Sequence, residues 1–133
     1  MRHEDENIEM FTGSCHCGQI SYRLTAVRQL DFFCHCLDCR KLSGGGRLSG
    51  IAVNERDMQV IGQPSTYIYP GGSGKDIQLS FCGHCSTQLF AYPTAHSGIV
   101  VVRANTLDDE AMFCATKSLH AEKAFQWDRG VLV

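Results

Sequence analysis

Seven of the eight cysteines in this 133-residue chain fall into three short clusters. They are Cys15-His16-Cys17, Cys34-His35-Cys36-Leu37-Asp38-Cys39 and Cys82-Gly83-His84-Cys85. The spacings are C-x-C, C-x-C-x-x-C and C-x-x-C. A C-x-x-C turn lets two thiolates converge on one ion, with each sulfur about 2.3 Å away. Soft sulfur donors in a reducing cell select zinc among the abundant metals, with iron–sulfur ligation the main rival. Clusters of two, three and two thiols divide as four plus three. Pairing C-x-C with C-x-x-C gives a closed site of Cys15, Cys17, Cys82 and Cys85, which ties the start of the chain to its middle. Cys34, Cys36 and Cys39 remain for a second ion with its fourth position vacant, the usual mark of a reactive zinc.

Charge separates the two roles. Zinc with four thiolates carries about −2, and with three about −1. The three-thiolate ion is the better electrophile, and an incoming thiol can complete it. Binding there lowers that thiol's pKa from about 8.5 and generates thiolate at neutral pH. Arg40 and Lys41 follow Cys39 directly; they are either a carboxylate-attracting pair at the open site or a solvated pair at a turn. His16, His35 and His84 each lie between two cysteines, as ligands or as outer groups that support the ligands. A thioredoxin-like redox role needs a βαβ context around the C-x-x-C, which the sequence lacks.

These ligands must be carried by other elements, and the remaining pattern is mostly β. "QISYRLTA" alternates, with Ile20, Tyr22 and Leu24 on one side. "RLSGIAV", "MQVIG", "STYIYP", "DIQLSFC", "TQLFAYP", "GIVVVRANTL" and "MFCATKSLH" continue as short strands divided by turns. "CLDCRKL" and "LDDEAM" each suggest one helical turn. The expectation is one mainly β domain over residues 11–133, behind an acidic, flexible tail at 1–10. Apolar residues make up 44% and charged residues 20%, with a net charge of −2. This is an ordinary globular balance and lacks the basic stripe of a nucleic-acid binder. "MRHEDENIEMFTG" has no apolar signal region, and no run reaches the roughly 18 apolar residues of a membrane span. A cytoplasmic chain with reduced thiols is expected, away from both nucleic acid and membrane.

"GSCHCG" at 13–18, "CHCLDCRK" at 34–41 and "FCGHCSTQLF" at 81–90 resemble the glutathione-dependent formaldehyde-activating enzyme family, which also includes centromere protein V. Ser43-Gly44 and the closing "LHAEKAFQWD" fit the same pattern, so the resemblance covers roughly residues 11–128. It implies a zinc-stabilised β-tent-like sheet, two zinc ions with the four-plus-three partition, and a carbon–sulfur lyase activity that joins glutathione and formaldehyde. The expected function is therefore zinc-dependent addition of a small thiol such as glutathione to a carbonyl such as formaldehyde. The alternative is a non-catalytic, zinc-stabilised binding module. One departure is visible: Ser86 stands where the family usually has glycine, and serine is strained there if the position needs positive φ.

Four further stretches carry expectations. "GGSGK" at 71–75 fails the phosphate-loop pattern and reads as a hairpin turn. "SGGGRLSG" at 43–50 is a flexible turn or a place where backbone approaches a ligand. Cys114, between Phe113 and Ala115, reads as a core residue, and Tyr67 and Tyr69 as strand residues facing core and solvent. His120 and Trp127 either rim the site or pack the C-terminal segment.

Overall fold

Residues 8–129 are described by a computed structural model of the chain. Among the described residues ten strands form two sheets: β1 (Ile8–Ser14), β2 (Ser21–Val27), β3 (Leu30–Cys34), β4 (Leu48–Asn54), β5 (Met58–Ile61), β6 (Ser65–Pro70), β7 (Asp76–Phe81), β8 (Gln88–Pro93), β9 (Ile99–Arg103) and β10 (Lys117–Leu119). The smaller sheet has the order β1-β2-β5 and the larger β10-β3-β4-β9-β8-β7-β6. All pairings are antiparallel except β10 with β3. A single α-helix among the described residues, α1 (Leu37–Leu42), follows β3, and short 3-10 turns fill several connections.

The period-2 alternation explains how the layers meet. Phe11 and Leu24 of the small sheet turn inward onto Ile51, Val53, Phe90, Val100 and Val102 of the large sheet. Gly13 completes that seam. A side chain there would collide with the Thr106 carbonyl and the Tyr22 hydroxyl. Tyr22 is thereby placed to bond Thr106 Oγ1 at 2.8 Å, and Thr106 donates to the Arg103 carbonyl at 2.7 Å. The opposite face of the large sheet carries a smaller cluster, in which Phe32, Cys34 and Leu48 pack with Val101, Cys36 and Cys39.

Several expectations move. β1 begins at Ile8, inside the segment expected as tail, because its residues pair along β2 from Ile8–Val27 to Ser14–Ser21. Residues 1–7 and 130–133 lie outside the described residues. "GIVVVRANTL" stops being strand at Arg103, where a 3-10 turn over Ala104–Thr106 begins. "MFCATKSLH" keeps only its last part as β10. "GGSGK" is the β6–β7 hairpin, closed by the Gly71 N–H donating to the Lys75 carbonyl at 2.9 Å.

Two side chains sit differently from expectation. Cys114 is exposed; its backbone N–H reaches the buried Asp31 carboxylate at 2.9 Å, which leaves the side chain outward. Tyr67 and Tyr69, two apart on β6, share a face and stack at 5.7 Å. Tyr67 is opposite Leu79, Leu79 opposite Ala91, and Ala91 opposite Val101. Directly opposed residues share a face. The tyrosines therefore stand on the same face of the sheet as Cys34.

Candidate metal centres and an adjoining pocket

Cys15 and Cys17 lie in the β1–β2 turn, and Cys82 and Cys85 in the β7–β8 turn. Their four sulfurs gather within 4.8 Å of one another. Cys15 and Cys82 are buried in the core between the sheets, so this group pins the small sheet to the large one. Tetrahedral zinc, with sulfurs at about 2.3 Å, needs sulfur–sulfur edges of about 3.8 Å. The Cys15–Cys17 separation is 3.6 Å and the Cys17–Cys82 separation 3.7 Å. Backbone N–H groups favour the thiolates: Ile20 donates to Cys15, and His84 and Cys85 to Cys82, at 3.3–3.4 Å. The Thr87 hydroxyl, 3.3 Å from Cys85 Sγ, is the main reason that thiol is lowered to about 5.

Cys34 ends β3, Cys36 caps α1, and Cys39 lies one turn into the helix. These three sulfurs also lie within 4.8 Å of one another. The Cys39 N–H donates to Cys36 Sγ at 3.4 Å, so the helix start fixes the sulfur. Hydrogen bonds from Cys34 and then Cys39 hold Cys36 well below the usual thiol range. Cys39, facing first Cys34 and then Cys36, is pushed far up. Alone, the three thiols cannot all ionise; a divalent cation among them allows it. Both groups therefore fit a zinc-like ion by donor type, and the first also by its spacing. No histidine joins either group among the described residues. His16 and His84 are exposed, while His35 is buried with Nδ1 3.8 Å from Asp128 Oδ2.

A pocket of about 610 Å³ opens between the end of α1 and the β7–β8 turn. Leu42 and Ser43 at the end of α1 form one wall, and Ser86 and Thr87 of the β7–β8 turn another. Gly44 and Gly45 leave backbone on its rim, so part of "SGGGRLSG" borders a cavity. Gln88 braces the floor, donating from Nε2 to the Leu42 carbonyl at 2.5 Å. Ser86 has φ 67°, so serine occupies the left-handed conformation the glycine comparison pointed to. Its hydroxyl donates to the Cys85 carbonyl at 2.5 Å.

A family model described as "Glutathione-dependent formaldehyde-activating enzyme" matches residues 10–124. The chain belongs to this family. A Halomonas elongata protein provisionally given the same name is 30% identical over 109 residues, spanning 76% of this chain and 68% of that protein. A crystal structure of a Rhodobacter sphaeroides protein matches 80% of this chain and 98% of its own, with TM-score 0.59 at 16% identity. At that identity it shows a shared fold.

The basic residues singled out beside Cys39 lie away from this pocket. Arg40 and Lys41 do not line the pocket. The Arg40 guanidinium lies 3.7 Å over the Phe125 ring, and Lys41 is exposed. Phe125 stacks on Trp127 at 4.8 Å, and Trp127 covers Gly46, where a Cβ would come within 2.6 Å of the indole. The C-terminal segment with His120 and Trp127 therefore packs against α1 and the glycine loop, and His120 itself is exposed. The pocket's cations are instead Arg47 and Arg103. Arg47 is neutralised by Asp128, donating from Nε at 2.8 Å to its carboxylate and from Nη2 at 2.9 Å to its carbonyl. Arg103 is buried at the end of β9, on the same face as Val101 and the cysteine trio. Burial pulls its guanidinium below the ordinary range, while Cys39 leads the nearby groups that would support its charge when ionised. Tyr69 is pushed up to about 12, by burial first and then by the charge of Cys39. No motif marks Arg103 or Tyr69; only the strand register brings them to this face.

Proposed function

We propose that the chain is a carbon–sulfur lyase-type enzyme that adds a small thiol, glutathione in the family's case, to a carbonyl such as formaldehyde. The observation that carries this is the unequal sharing of sulfurs, four in one group and three in the other, beside an arginine-lined pocket. A zinc ion held by Cys34, Cys36 and Cys39 would supply a Lewis-acid position that lowers the pKa of an incoming thiol. The cap of α1 holds Cys36 in place, and β3 holds Cys34. Arg103 offsets the negative charge that gathers on these sulfurs. Tyr69, protonated at neutral pH, offers a hydrogen-bond donor on the same face. The reaction balances without oxidant or reductant. The sulfur lone pair forms the S–C bond, the carbonyl π pair moves to oxygen, and the thiol's proton ends on that oxygen. Cys15, Cys17, Cys82 and Cys85 would hold a second, structural zinc.

Cys36→Ser tests this directly. The variant is expected to lose one zinc per chain and all thiol–formaldehyde adduct formation, with its circular dichroism unchanged. Full activity in a folded variant lacking that zinc contradicts the reading, and absence of activity in the unaltered zinc-loaded protein favours a binding module.

A further inference from the structure

The pocket between α1 and the β7–β8 turn has a charge pattern that the cysteine chemistry does not require. Its wall contains two arginines and no aspartate or glutamate. Arg47 already has its counter-charge in Asp128. Arg103 does not. It is only 5% exposed, its Nε–H has no partner among the described residues, and its Nη2 makes only a 3.4 Å bond to Gln88 Oε1. A buried guanidinium with unused donors is costly until an anion takes them up, and its planar fork matches a carboxylate. Gln88 and Asn105 add amide groups to the same wall.

We propose that this pocket is a carboxylate-recognition site, with Arg103 as the residue that selects an acid-bearing thiol over a neutral one. The proposal rests on the reading that a thiol is delivered to Cys34, Cys36 and Cys39. Arg103 lines the pocket and, through its register with Gly50 and Phe32, stands on the sheet face that carries Cys34. Its burial and its Gln88 contact hold the guanidinium in position before the ligand arrives.

The test is calorimetric titration of the zinc-loaded protein with thiols matched in length. The probes are 3-mercaptopropionate and 6-mercaptohexanoate, each against its own amide. The expected result is an acid bound at least about tenfold tighter than its amide at one or both lengths, as a charge-assisted pair implies. In Arg103→Met the acids lose more affinity than the amides, so that preference disappears. Arg103→Lys keeps a reduced preference, because the charge remains and the fork is lost. Equal binding of acids and amides by the unaltered protein overturns the proposal and leaves the thiol reading intact, whether or not the variants fold. Equal weakening of acids and amides in Arg103→Met also overturns it, since Arg103 then acts on the sulfurs alone. Failure of every thiol to bind removes the thiol reading and this proposal with it.

Discussion

Ser86 shows what one side chain costs. At φ 67° its Cβ crowds the backbone, a conformation glycine adopts freely. The 2.5 Å hydroxyl bond to the Cys85 carbonyl offsets part of that strain. Ser86→Gly is expected to stabilise the protein by roughly 0.5–1 kcal/mol, read as a rise of a few degrees in Tm. An unchanged or lower Tm means that the hydroxyl bond outweighs the strain. Cys82 is the opposite case, a buried sulfur whose partners come from both sheets. Cys82→Ser is expected to lose one zinc and unfold the domain, because structural metal energy is folding energy. Metal analysis with circular dichroism checks both losses, and a folded Cys82→Ser protein contradicts the structural role. The cysteines were legible in the sequence because spacing alone limits which thiols can converge. Arg103 and Tyr69 were not, because their place depends on which residue of one strand faces which of the next.

Among the elements, the strands were easiest to find and their limits hardest. β2 and β6 stand out through alternation and bounding turns. β3 did not, since "LDFFC" buries Asp31 and Phe32 side by side and breaks the alternation. Asp31 is tolerated there because Arg28 and the Cys114 N–H both satisfy one of its oxygens. β1 was hidden by its charged start, although Arg28 meets Glu9 through two 2.9 Å bonds. The C-terminal segment is fastened by Arg47 and Asp128 over the glycine loop. Asp128→Asn is expected to cost about 2 kcal/mol at neutral pH, as loss of a charge-assisted bond implies. The Arg47 bond holds the Asp128 carboxyl below its ordinary value. Its contribution is therefore complete above the unfolded value of about 3.9 and fades as pH falls through the lower folded one. Urea titrations of both proteins from neutral to acid pH should show the difference shrinking. A difference that stays constant would remove the charge from the explanation.

For the molecule as a whole, one cysteine group is long-range and the other local. Four sulfurs bring together a turn of the small sheet and a turn of the large one, whereas three come from one stretch of six residues on the large sheet's other face. The likeness in fold to the Rhodobacter sphaeroides protein covers 80% of the chain, and the described residues contain no helix long and apolar enough to cross a membrane. The central claim is that the trio leaves room for a thiol from outside. Cobalt(II) substituted into both sites reports it most directly, through the sulfur-to-cobalt charge-transfer band. Titration with glutathione or a mercapto acid is predicted to raise that band in proportion to one added sulfur per chain, and Cys36→Ser to abolish the rise. A band that no thiol changes would contradict the account.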